Sequence, residues 1–248
     1  MASFAFVVLL LWIVRFRGVK RERVIIVATF RMTIQLVIAG YILIFLFERP
    51  SWILTLIVLV IMLIFAIRNV YHQIKSPLSF SIKAVIAISM VLGTILSILY
   101  FTLIVIHLSP WYEPRYFIPI SGMIIGNSMT GITIGVSTLF TSLKANRDKI
   151  LGALMLGAKP KVAIKSYINE AFDAAILPTL NNMIGMGIVF LPGMMTGQII
   201  AGINPLLAIE YQIVILLGIL GSVTLTVFLF IILSVNSLFT KEANLNVS

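Results

Sequence analysis

Residues 84–106 read AVIAISMVLGTILSILYFTLIVI, 23 positions without a charged side chain. Wound as an α-helix, such a run covers about 34 Å, enough to cross a hydrocarbon core of about 30 Å. Similar apolar segments stand at about 2–14, 24–47, 52–67, 116–140, 174–201 and 211–235. Composition agrees: the 248 residues are 60% apolar and only 10% charged, with mean hydropathy +1.14. Soluble domains carry about 25% charged residues. So few charges cannot cover a water-facing surface, and so many apolar residues exclude disorder. The expected fold is all-α, a polytopic integral membrane protein with about seven transmembrane helices in one domain over residues 1–248. Spans of about 20 residues each leave little chain for a soluble domain, so any catalytic domain must come from another polypeptide.

The charges orient the chain. Lys and Arg number five in 15–23, three in 68–83, six in 141–173 and one in the tail, Lys241. The alternate loops 48–51, 107–115 and 202–210 hold one, one and none. Fifteen against two is the asymmetry that positive-inside retention produces. It predicts an N-terminus outside, a C-terminus inside and a multi-pass location, in the cytoplasmic membrane if the source is bacterial. The net charge of +10 therefore reflects membrane topology, not nucleic-acid binding. At the N-terminus, Arg15, Arg17, Lys20, Arg21 and Arg23 follow the apolar run 2–14, the reverse of a secretory signal. That run reads as a short first span.

Several chemistries are absent. With no Cys there are no disulfides, thiolate metal sites or cysteine nucleophiles. His72 and His107 fall in loops without the companions of a zinc site or a serine protease. Gly126 and Gly131 have phosphate-loop spacing, but Ile132 stands where Lys is required. Glu170, Asp173 and Glu210 sit only at segment ends, which argues against an intramembrane proton relay.

The remaining polar residues are the candidates. Arg31 and Gln35, four apart, share a helix face. They either mark a function inside the bundle or belong to an interfacial elbow over residues 20–33. Gly122/Gly126 and Gly131/Gly135 let helices approach closely in lipid, with Asn127 between them on a packed or a pore-lining face. The loop 141–173 reads as helix, sharp turn, helix. Gly157 suits a helix C-terminus and Pro160 the first turn of the next helix. Its apolar stripes either lie on the bilayer or present a short helix to a soluble partner. The segment 174–201 is broken by Pro178, Gly185, Gly187, Pro192 and Gly193 and carries Asn181, Asn182, Thr196 and Gln198. Freed backbone groups at membrane depth must face protein or a water-lined cavity, and such broken helices often build transport sites. Met194 and Met195 either offer thioether ligands to a metal or fill gaps.

Three blocks of this sequence resemble the FetB-type family of ABC-transporter permeases, which includes bacterial iron exporters and plant permeases of aluminium tolerance. They are residues 118–127 (IPISGMIIGN), 156–160 (LGAKP) and 189–202 (VFLPGMMTGQIIAG). The similarity continues through Asn204-Pro205 and Ile209 to Gln212, and it covers nearly the whole chain in order. Arg31 and Gln35 fall where the family has a similar pair. The resemblance implies a permease subunit, not an enzyme, two copies of which pair with two ATPase subunits. ATP and Mg would reside on the partner, with no cofactor on this chain. It implies that Leu156, Gly157, Ala158, Lys159 and Pro160, within a cytoplasmic coupling loop 141–173, meet that ATPase. Arg31, Gln35, Asn127, Asn181, Asn182, Pro192, Gly193, Met194, Met195, Thr196 and Gln198 are then candidates for the transport pathway, with Met194 and Met195 as candidate metal ligands. The expected cargo is a metal ion, iron first. A non-metal solute such as a sugar nucleotide, or a stand-alone channel, is the alternative.

Overall fold

The computed structural model describes residues 4–19, 21–74 and 78–238; Lys20, Lys75 and Lys241 of the charge count lie outside them. The described residues are helical with no extended sheet. The chain divides into two compact units, Met1–Ser51 and Trp52–Ser248.

The first unit is a helical pair, α1 (Ala5–Phe16) and α2 (Glu22–Glu48). The turn between them uses Gly18 at φ +68°. No residue of α1 is buried, and exposed Phe6, Trp12, Ile26, Phe30 and Tyr41 leave both helices apolar on their outer faces. Helix α2 runs unbroken through Arg31, so residues 22–33 are not set off as a separate elbow helix. Within the helix Thr29 and Thr33 satisfy their hydroxyls by donating to the carbonyls of Ile25 and Thr29, both at 2.9 Å.

The second unit holds α3 (Trp52–Gln73), α4 (Phe80–Tyr100, extended by a π-helical turn to Val105), α5 (Pro114–Ala145), α6 (Arg147–Met155), α7 (Pro160–Ala163), α8 (Lys165–Gly185), α9 (Gly193–Ile200) and α10 (Pro205–Leu238). Helix α4 starts before the expected residue 84 because the Ser79 hydroxyl accepts the Ile82 N–H at 3.3 Å and caps it. Helix α5 is central. Its buried stripe, Ile124, Ile132, Val136, Leu139 and Leu143, joins Leu63 and Val70 of α3, Ile86 and Met90 of α4, and Val223, Val227 and Phe230 of α10 in one core.

Pair contacts set the helix directions. Thr55 Oγ1 donates to the Tyr112 carbonyl and Asn69 Nδ2 to Met129 Sδ, so α3 and α5 run the same way. Ser128 and Ser222 share a buried hydroxyl bond of 2.9 Å, and Gly131 and Gly135 face Val223 and Val227. Helix α10 is thus parallel to α5. Gly93 against Thr226 and Phe101 against Gly218 make α4 antiparallel to α10. Gly131 meets Ala175 and Gly135 meets Ala171, so α8 runs against α5. The close approach of these helices uses one of the two expected glycine pairs. A methyl on Gly131 would sit 2.6 Å from Val223 Cγ1, whereas one on Gly126 would meet nothing within 4 Å.

Five described helices are long and apolar enough to cross a membrane: α2, α3, α4 with its π turn, α5, and α10 over Pro205–Ser234. Helix α1 has 12 residues, and α8 carries Lys165, Glu170 and Asp173. The expected sixth segment, 174–201, is not one span. Helix α8 begins nine residues earlier, at Lys165, and runs through Pro178 to Gly185. Pro178 removes a single donor, which a packed helix tolerates. The break comes later, where Gly187 takes φ +83°. The alternating helix directions gather residues 68–74, 78–83 and 141–173 at one end of this unit. Residues 106–113 and 186–204 lie at the other.

Candidate functional site

At the basic end, α6 stops in a six-residue closure. The Gly157 N–H bonds to the Leu154 carbonyl at 2.9 Å and the Ala158 N–H to the Ala153 carbonyl at 3.0 Å. Gly157 makes this possible at φ +87°, a left-handed conformation that a side chain strains. Pro160 then opens the single turn α7, where its missing N–H is no loss. This is the helix–turn–helix expected from Gly157 and Pro160. The closure turns apolar groups outward: Met155 is 86% exposed, Leu156 91% and Val162 64%. Lys149, Lys159, Lys161 and Lys165 of the same segment are exposed too. The turn is anchored by fully buried Ile150 and Ile164, which belong to the same core as α5 and α8. Glu170 reaches Ser142 across this base, Oγ to Oε2, at 3.1 Å.

At the opposite end, residues 186–192 form a loop between α8 and α9. The Gly187 N–H donates to the Phe190 carbonyl at 3.0 Å, and the Val189 N–H to that of Gly185 at 2.9 Å. Pro192 precedes α9 and Gly193 starts it. Beneath the loop is a cavity of about 410 Å³, lined by residues of α8, the loop, α9 and α10, among them Met183, Met186, Met195 and Gln212.

The pathway candidates scatter. Met195 is buried and lines the cavity. Met194 is half-buried against the core, so the two adjacent thioethers point apart. Thr196 and Gln198 are half-buried on α9, and Asn181 and Asn182 are exposed on the last turns of α8. Asn127 bonds its own helix, Nδ2 to the Met123 carbonyl, at 2.8 Å. Arg31 and Gln35 belong to the first unit, both exposed on α2. Among the described residues no three His, Cys, Asp or Glu side chains form a metal-binding group. Sequence reasoning missed Met183, Met186 and Gln212 as members of one site. The only local sign was a helix break flanked by methionines.

Comparison with known proteins adds the context. A family model described as "Uncharacterised protein family (UPF0014)" matches residues 1–239. The chain is 34% identical over 232 residues to "UPF0014 membrane protein YjkA" of Bacillus subtilis, covering 92% of this chain and 88% of that one. It is 34% identical over 205 residues to "Probable iron export permease protein FetB" of Escherichia coli, covering 83% and 77%. It is 31% identical over 233 residues to "Protein ALUMINUM SENSITIVE 3" of Arabidopsis thaliana, covering 92% and 82%. No solved structure matches the chain.

Proposed function

The chain belongs to the UPF0014 family of integral, multi-pass membrane proteins, and from that premise we propose that it is the permease subunit of an ABC transporter. Two copies pair with two ATPase subunits that supply ATP and Mg. The spans number seven, counting α1 and α8, with the N-terminus outside and the basic end in the cytoplasm.

The observation that carries this reading is the closed turn after α6. Met155, Leu156 and Val162 project into solvent in a segment with four exposed lysines. An exposed apolar group of this kind on a rigid, anchored turn suits a docking partner. Closure of the ATPase pair on ATP pushes this turn. Ile164 and α8 carry the displacement about 30 Å along the helix to the cavity at its far end. The ATPase must bind the two states of the permease with different free energies for the gate to move.

The similarity to a protein named an iron export permease supports outward transport of metal ions, iron first. A non-metal solute is the second reading, supported by the size of the cavity, which falls in the range of small-molecule sites. Leu156→Glu tests the coupling. The side chain is already in solvent, so insertion and folding should persist. Copurification with the ATPase and cargo-stimulated ATP hydrolysis should both fall by about tenfold, the factor expected from losing 1.4 kcal/mol at a docking anchor. Full stimulation would remove the coupling assignment.

A further inference from the structure

The open face of α8 differs from those of its neighbours at the same depth. Ala171 and Ala175, both buried, pack against Gly135 and Gly131 of α5. Asp173 therefore stands level with Thr133, within about 5 Å of the midpoint of that 32-residue helix. The same level continues into α10 and α4, since Gly135 faces Val227 and Gly93 faces Thr226. There the exposed residues are Phe228 and Leu92, side chains suited to lipid. On α8 the exposed residue is Asp173. Asn169, Asp173, Leu177 and Asn181 follow at four-residue steps, so they share one side of the helix, and all four are exposed. A segment starting at 174 would leave Asp173 at the membrane edge. Because α8 starts at Lys165, the carboxylate lies at mid-height instead.

A carboxylate at the middle of a membrane helix is costly against lipid and sits where water or a polar group reaches it. We propose that this face of α8 is one wall of a water-filled path through the permease, and that Asp173 sets its preference for positively charged cargo. The amides of Asn169 and Asn181 extend the wet side toward the basic end and away from it. On α8 itself the nearest cation is Lys165, two turns back at the basic end. A fixed negative charge in such a path attracts cations and repels anions. An anionic solute, a sugar nucleotide among them, is therefore the least favoured cargo. Lipid tails and an apolar face of a second copy are the coverings that this assignment excludes. The inference rests on the transport reading in taking α8 as a span, and it adds the residue that selects charge.

The test needs no ATPase. The chain has no native cysteine, so single variants Asp173→Cys, Leu177→Cys and Asn181→Cys can be compared with Leu92→Cys and Phe228→Cys in membrane vesicles. Each is treated with a cationic and an anionic methanethiosulfonate reagent. Only the thiolate reacts, and a thiol held in lipid stays protonated, so the three α8 variants should react at least about tenfold faster than the two controls. Leu177→Cys and Asn181→Cys keep Asp173. At both, the cationic reagent should outpace the anionic one by about fivefold or more, after correction for their rates with a free thiol. Adding Asp173→Asn should remove that preference. Rates on α8 equal to those of the controls, as expected if lipid or an apolar face covers it, would overturn the proposal. So would a charge preference that survives Asp173→Asn. If α8 is reactive while Leu156→Glu keeps full stimulation, the path stands and the ATPase coupling falls. If α8 is unreactive while Leu156→Glu loses stimulation, the path falls and the coupling stands.

Discussion

The breaks in the chain before and after α8 solve the same problem in opposite ways. At both, a helix stops at a glycine with positive φ, Gly157 at +87° and Gly187 at +83°, and a proline opens or precedes the next one. At the basic end the interruption is closed. Carbonyls of α6 are taken by Gly157 and Ala158, Ile150 and Ile164 fill the base, and the apolar residues left over face outward. At the other end the interruption is open. The loop 186–192 borders a cavity of about 410 Å³ whose lining also takes residues of α8, α9 and α10. Under the proposed function the closed break is the one suited to pass on a push from a partner, and the open break the one with room for a cargo. The helix between them is held by Gly131 and Gly135 of α5.

The most damaging test of the connection is Gly131→Leu. A single methyl there already meets Val223 at 2.6 Å, and overpacking of this kind costs about 1–3 kcal/mol or more. The variant should unfold at clearly lower temperature in detergent, and any folded fraction should lose stimulation by cargo. Gly126→Ala, with nothing within 4 Å, should leave the melting temperature unchanged or raised, since alanine favours the helix by about 0.8–1 kcal/mol. If both glycine variants melt alike, the link is not a tight one.

Gly157→Val comes next. Nothing crowds the position, so the effect is conformational, about 1–2 kcal/mol for a side chain in the left-handed region. Amide hydrogen exchange should show α6 fraying while α8 stays protected. Gly193→Ala at the open end has ordinary φ and open space, and should change stability by less than about 0.5 kcal/mol. Comparable losses at both positions would erase the contrast between the ends.

Smaller again is the cap of α10. Asn204 Oδ1 accepts the Leu206 N–H at 2.9 Å, so Asn204→Ala should cost about 1 kcal/mol of local stability, read by exchange at residues 205–208. Loss confined there would show that the open end gives way locally. Loss spreading to α5 would show that it is stiffer than the cavity suggests.

The closed end was legible in the sequence because its signals are local. Gly157 and Pro160, three apart, encode a helix stop and a helix start within one turn of chain. The apolar runs likewise announced membrane helices, since each is its own evidence. Boundaries set by polar side chains were not legible. Lys83 hid the first turn of α4, which Ser79 caps, and Glu170 and Asp173 hid the start of α8. Pro178 drew the expected break toward itself, although packing absorbs it and Gly187 makes the turn. The open end was legible only as an interruption. Met183, Met186, Met195 and Gln212 come together because the chain doubles back there and α10 crosses below, and no spacing along the chain announces it. Arg31 and Gln35 are adjacent on α2 as their spacing required.

The account requires the closed turn and the open loop to face opposite sides of the membrane, with the ATPase on the closed one. The absence of native cysteine makes this directly measurable with Leu156→Cys and Ile188→Cys, both at highly exposed positions. A membrane-impermeant maleimide applied to sealed vesicles of each orientation should label the first only from the cytoplasmic side, with protection when the ATPase subunit is present. It should label the second only from the opposite side. Labelling of both from one side, or of Leu156→Cys from outside, would contradict the account.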